Sequence, residues 1–184
     1  MSSPFHLRRA ARLIQQGGIV ACPTEAVYGL SCDPLNPAAV QRLLALKGRP
    51  ANKGLILVAA HIEQLAPFAR IEDPCTEAAR ATWPGPHTWL LPARAALPWW
   101  IGGGRDTVAC RVTAHPLMAA LCEAAGGALV STSANRAGRL PARSPLQVRL
   151  RCPGVDAILH GALGGLPRPT PIRDARSGEL LRPA

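Results

Sequence analysis

Four polar stretches of this sequence have residue types and spacings that could do chemistry. Pro23-Thr24-Glu25-Ala26-Val27-Tyr28-Gly29-Leu30 puts a hydroxyl, a carboxylate, a phenol and a glycine within eight residues, directly after the apolar run Ile19-Val20-Ala21-Cys22. Polar groups where a strand ends suit a small polar ligand, because open α/β sheets bind ligands along that edge. Lys47-Gly48-Arg49 sets two cations at alternate positions, which share a side if the backbone there is extended. With Lys53 they make three positive charges in seven residues, a grip suited to a triphosphate. Ser133-Ala134-Asn135 offers a hydroxyl and an amide in the same alternate arrangement at the end of Ala128-Leu129-Val130-Ser131-Thr132. No histidine stands near Ser133 to raise it as a nucleophile, so hydrogen bonding or facing a metal is its expected work. Arg111 closes the otherwise apolar strand Thr107–Val112 and is expected to point into a cleft, with Arg143 and Arg182 as candidates for closing over an anion.

Two further stretches carry weaker signals. Trp83-Pro84-Gly85-Pro86-His87-Thr88 is a stiff loop leading into a strand, and His87, without a nearby carboxylate, reads as incidental. Gly102-Gly103-Gly104-Arg105 lacks the G-x-x-x-x-G-K-[ST] pattern of a phosphate loop. A flexible hairpin or lid is expected there, with Trp99-Trp100 as its hydrophobic anchor or as a surface for stacking a base.

The elements that must position these groups follow from period and punctuation. Leu7, Ala10, Ala11 and Ile14 fall at helical spacing before Gly17, and Asn36-Pro37 caps a second helix whose buried stripe is Val40, Leu43 and Leu44. That helix delivers Lys47. Gly54–Ala60 is a continuous apolar run, the mark of a strand covered on both faces. Asp73-Pro74 opens another helix, Thr88–Leu91 and Thr107–Val112 read as strands, and His115-Pro116 leads a helix to Ala125. Residues 136–151 are basic and rich in proline, predicting a mobile loop with one short helix. Ala157–His160 and a pair within Thr170–Arg182 complete the strands. Helices and strands interleave without a repeat, predicting one α/β domain over residues 1–184 with a twisted, mixed sheet.

Composition narrows the partners. Lysine and arginine number 21 against 11 acids, a formal net charge of +10, and only Lys47 and Lys53 are lysines. Guanidinium suits phosphate and carboxylate because its planar fork donates two parallel hydrogen bonds. Nucleotide or nucleic acid is thus expected ahead of membrane. The six cysteines never form C-x-x-C and the five histidines never pair, so a structural zinc is not expected. With no leader and no span-length apolar run, reduced core thiols in a cytoplasmic protein are expected.

Taken in order, P-T-E-x-V-Y-G-L, K-G-R-P with N-K-G-L-I, W-P-G-P-x-T, V-x-C-R-V-x-x-H-P and S-x-S-A-N-x-x-G resemble the YrdC/TsaC family of threonylcarbamoyl-AMP synthases, from about Ile14 to Arg182. The resemblance implies a YrdC-like domain with a basic concave cleft. It implies that L-threonine, bicarbonate or CO2 and ATP become threonylcarbamoyl-AMP and diphosphate, Mg2+ arriving with ATP, to feed a downstream tRNA threonylcarbamoyl transferase complex. By the same resemblance Lys47, Arg49, Ser133 and Asn135 are the reaction's signature, and Thr88, Arg111, Arg143 and Arg182 join them on ATP. Thr24, Tyr28 and Thr170 would hold threonine, and because a carbamate decomposes in water, residues 136–151 would be the lid that closes the cleft. Ala26 and Ser31 depart from the family's more frequent Thr and Gly. Two other readings stay open: a tRNA or double-stranded RNA binding module without catalysis, and a carbamoyl-phosphate enzyme like the related hydrogenase-maturation domain, whose zinc-finger cysteine pairs this chain lacks.

Overall fold

The computed structural model describes residues 3–183. Nine strands form one mixed sheet among the described residues: β1 (Val20–Pro23), β2 (Tyr28–Ser31), β3 (Ile56–Ala59), β4 (Thr88–Pro92), β5 (Thr107–Val112), β6 (Leu129–Ser133), β7 (Ala157–Ile158), β8 (Ile172–Asp174) and β9 (Leu180–Arg182). Their order across the sheet is β7-β1-β2-β6-β3-β5-β4-β8-β9. The β1/β2, β2/β6, β3/β6, β4/β5 and β8/β9 pairs are antiparallel, while β1/β7, β3/β5 and β4/β8 are parallel. The expected α/β domain with a mixed sheet flanked by helices is what the chain forms.

The helices are α1 (Pro4–Gln15), α2 (Pro37–Lys47), α3 (Glu77–Arg80), α4 (Trp99–Gly102), α5 (Pro116–Ala125) and α6 (Pro145–Arg151). Asn36 caps α2 through its side chain onto the Ala39 amide, and Ser144 caps α6 on the Gln147 amide, each with proline at the first helical position. Asp73 caps only a 3-10 turn, Pro74–Thr76, which runs into the four-residue α3. Between β4 and β5 the chain coils into α4, where a flexible hairpin was expected.

Strand parity divides the core. Ile19, Ala21, Leu57, Ala59, Cys110, Val112 and Val130 face one side with α2, while Val20, Cys22, Val58, Ala60 and Leu129 face the other with α1 and α5. Along β6, Leu129, Ser131 and Ser133 share that second side. So do Val58 and Ile56 on β3, and Arg111 and Ala109 on β5. The helices cover Leu129 and Val58; toward Ile56, Ser131 and Ser133 the same face is left open, and β6 turns polar there.

Candidate active site

That open face is the floor of a cavity of about 240 Å3, walled by Thr24, Gly29, Arg49, Arg111, Ser131, Ser133, Asn135, Thr170 and Arg182 among others. The site therefore lies on the sheet's face and takes in strand ends as well, since Thr24 follows β1 directly and Ser133 is the last residue of β6. Gly29 makes room: a Cβ there would stand 3.3 Å from Thr24 Cγ2 and 3.5 Å from Ser131 Oγ. A second hollow of about 260 Å3 adjoins it, sharing Arg49, Leu55, Ile56 and Arg182 and adding Lys53 and Arg105. No carboxylate lines either wall among the described residues. A larger cavity, about 540 Å3, lies elsewhere and has Asp33 and Glu63 as its charged groups, so it would repel an anion.

Three guanidiniums converge on the first cavity from far apart in the chain. Arg49 follows the left-handed Gly48 (φ 59°) that ends α2, and its Nη2 donates to the Gly54 and Lys53 carbonyls at 2.9 and 3.3 Å. Burial and the nearby Arg105 charge both pull its pKa down. Arg182 Nη2 donates to the Thr170 carbonyl at 2.7 Å, and burial together with the Arg111 and Arg49 charges lowers its pKa. Like charges held together without lining acids attract an anion. Arg111 is buried; its Nη1 donates to Thr170 Oγ1 at 3.0 Å and its Nη2 lies 3.3 Å from Glu25 Oε2. Arg49 Nε, Arg111 Nε and Asn135 Oδ1 are buried without a hydrogen-bond partner.

Lys47 works from behind this wall. Because Gly48 turns left-handed, Lys47 and Arg49 are not on one side of an extended strand; Lys47 points inward, 3% exposed. Its Nζ donates to the Ser133 carbonyl and, at 2.9 Å, to the Asn135 carbonyl. Burial first, and Arg49 in the same direction, push its ammonium down to about 8. Asn135 Nδ2 donates to the Arg136 and Arg139 carbonyls at 2.8 and 2.7 Å, which fixes the amide and leaves Oδ1 as its free acceptor at the cavity.

The other predicted residues divide. Thr24 and Thr170 line the cavity, although Thr24 Oγ1 donates to the Val27 carbonyl at 2.8 Å. Thr88 Oγ1 lies 3.2 Å from Thr170 Oγ1, one layer below the wall. Tyr28 points to the opposite side of β2, since Gly29 takes the cavity side; its hydroxyl donates to the Gly161 carbonyl at 3.0 Å. Arg143 is exposed, its Nη1 reaching the Pro167 carbonyl at 3.4 Å. His87 accepts the Trp83 indole N–H on its backbone carbonyl at 2.7 Å. Sequence reasoning missed Ser131, Thr113 and Arg105 as members of this neighbourhood. Alternate polar residues within β6, and Arg111 followed two later by Thr113, are the signal that could have found the first two.

The expected lid is tied down. Besides the Asn135 bonds, Arg151 Nη1 donates to the Leu140 and Pro141 carbonyls at 3.0 and 2.7 Å, the Ala137 amide donates to the Lys47 carbonyl at 2.8 Å, and the Tyr28 amide donates to the Ala142 carbonyl at 2.8 Å. Of this segment, Pro141 lines the cavity.

Fold and site together define a mixed α/β protein that presents a guanidinium-lined, hydroxyl-rich anion pocket on an uncovered sheet face. The Sua5/YciO/YrdC family model, described as "Telomere recombination", matches residues 12–184, and the chain belongs to this family. It is 60% identical to the threonylcarbamoyl-AMP synthase of Halorhodospira halophila, covering 97% of this chain and 95% of that one. The enzyme of the same name from Pseudomonas paraeruginosa is 52% identical, with both chains covered in full. Among solved structures, P. abyssi Sua5 complexed with L-threonine superposes with a TM-score of 0.88 at 36% identity; the match covers 96% of this chain and 53% of that longer one. No helix of the described chain is long and apolar enough to cross a membrane.

Proposed function

We propose that this pocket joins L-threonine, bicarbonate or CO2 and ATP into threonylcarbamoyl-adenylate, releasing diphosphate. The convergence of Arg49, Arg111 and Arg182 beside the hydroxyls of Thr24, Thr170, Ser131 and Ser133 carries the reading. Polyphosphate needs fixed cations, and a small hydroxylated amino acid needs short polar partners. Full-length relatives named as synthases support catalysis over RNA binding without it.

The chemistry asks for little covalent help. The threonine amine adds to CO2 and loses a proton, giving a carbamate; a carbamate oxygen attacks the α-phosphorus and the bond to the bridging oxygen of diphosphate breaks. Charge grows on the transferring phosphate and on the leaving group, so preorganised donors lower the barrier. Arg49 and Arg182, which line both hollows, are placed to span a ligand reaching from one into the other. Arg111 and Thr170, hydrogen-bonded to each other, face the amino-acid end together with Thr24. Mg2+ accompanies ATP as part of the substrate. No group of three or more His, Cys, Asp or Glu suited to a metal occurs among the described residues, but the unpartnered Asn135 Oδ1 and the Ser133 hydroxyl are oxygens suited to its water shell. The product feeds a tRNA threonylcarbamoyl transferase in the cytoplasm.

Diphosphate release measured with Mg2+ and ATP should require both L-threonine and bicarbonate. Arg49→Ala should lower that turnover at least ~100-fold, the range of a lost transition-state charge contact. Tight RNA binding with no substrate-dependent diphosphate would instead establish the binding-module reading.

A further inference from the structure

Glu25 is the carboxylate that the mechanism above leaves without work. It is 5% exposed, and it sits directly behind the cavity wall against Arg111, itself 4% exposed. The Thr113 hydroxyl donates to Glu25 Oε1 at 2.6 Å, and the same Thr113 oxygen accepts the His115 amide at 3.1 Å, so Thr113 is fixed from both sides. Glu25 Oε2 lies 3.3 Å from Arg111 Nη2, while Arg111 Nη1 donates to Thr170 Oγ1. The Glu25 backbone is clamped as well. The Leu166 amide donates to its carbonyl at 2.9 Å, and a Cβ on Gly164 would stand 2.8 Å from its Cα. Oε1 is the hydrogen-bonded oxygen; Oε2 makes no hydrogen bond and has the Arg111 ion pair, so the clamped carboxylate acts on its guanidinium partner through charge from a fixed position.

We propose that Glu25 is a positioning residue, which with Thr113 aims Arg111 at Thr170 and the amino-acid end of the pocket and cancels one of the pocket's three guanidinium charges. This rests on the adenylate-forming reading of the pocket. Two consequences of opposite sign follow from the charge arithmetic. Without the carboxylate, Arg111 loses its aim, so turnover falls. The pocket also gains a net positive charge, so polyanions bind more tightly. Damage to the fold would weaken both together.

The test compares wild type with Glu25→Gln, which keeps the side-chain size and the capacity to accept from Thr113. Glu25→Gln should lower kcat for diphosphate release at least 10-fold while tightening the calorimetric Kd for inorganic diphosphate about 3- to 10-fold. Diphosphate should also raise the Tm of Glu25→Gln more than that of wild type, because it compensates a guanidinium left alone. If Glu25→Gln does not fold, Thr113→Val supplies the test: kcat should drop about 3- to 10-fold with diphosphate affinity unchanged, since the carboxylate charge remains. Unchanged kcat in the folded variant, or diphosphate affinity that weakens in step with turnover, would overturn the proposal. A wild type that releases no diphosphate with threonine, bicarbonate and ATP would overturn the functional reading instead.

Discussion

Lys47 shows how a single side chain can serve a site without facing its ligand. Its ammonium holds the carbonyls of Ser133 and Asn135, so the turn that presents one hydroxyl and one amide oxygen to the cavity is built on a buried cation. The folded state depresses its pKa from 10.5 to about 8, so between those values the unfolded chain keeps a proton that the folded one has released. Stability from this group therefore rises with pH through that window, by roughly 3 kcal/mol at most at 1.36 kcal/mol per unit. Unfolding free energies of wild type and Lys47→Met, measured from pH 7.5 to 10.5, should diverge in favour of wild type as pH rises. A flat difference would mean the ammonium is solvated. At every pH Lys47→Met should also slow diphosphate release, because two carbonyls lose their donor and the Ser133–Asn135 turn loosens.

At the scale of elements, the segment after β6 matters most. Its composition, basic with proline and glycine, predicts mobility, yet the structure ties it to Asn135, Lys47, Tyr28 and Arg151. Asn135→Ala removes two donors at once, which should cost about 1–3 kcal/mol. Hydrogen exchange of residues 136–142 should accelerate at least 10-fold in that variant, while exchange in β3 and β5 stays slow. Equal exchange in variant and wild type would restore the free lid. Composition could not reveal these ties, because each is made by a residue whose partner the chain's own local pattern does not name. Arg151 reads in sequence as one more charge of a basic stretch, and Asn135 as a strand-end amide. The elements themselves were far more legible: the Asn36-Pro37 and His115-Pro116 starts and the apolar periods mark α1, α2, α5 and the central strands. The short β2 was hidden because Tyr28-Gly29-Leu30-Ser31 lies inside a motif that reads as a turn, and its pairing with β1 and β6 is what makes it a strand.

Across the whole molecule, burial sorts the six thiols. All are free; five are buried and Cys75 is half-buried. Burial pushes Cys32 and Cys122 up to about 12, and raises the others as well. Native protein at pH 8 should thus react with a thiol-specific chromogenic disulfide at about one site per chain, slowly and at Cys75, against six in denaturant. More than two sites in the native state would show that the two core layers open readily. Cys75→Ser should abolish the native reaction.

By itself the sequence determined the alternation of helix and strand, the basic balance and the membership of motifs that occur in one order, because caps, periods and net charge are properties of neighbours along the chain. Only the tertiary structure decided that Lys47 looks inward, that Tyr28 turns away, and that Arg49, Arg111 and Arg182 meet over one bare stretch of sheet with Glu25 and Thr113 behind. Those are pairings across 59, 88 and similar separations. They depend on strand register and on where α1 and α5 stop covering the face, and no local pattern of residues encodes either.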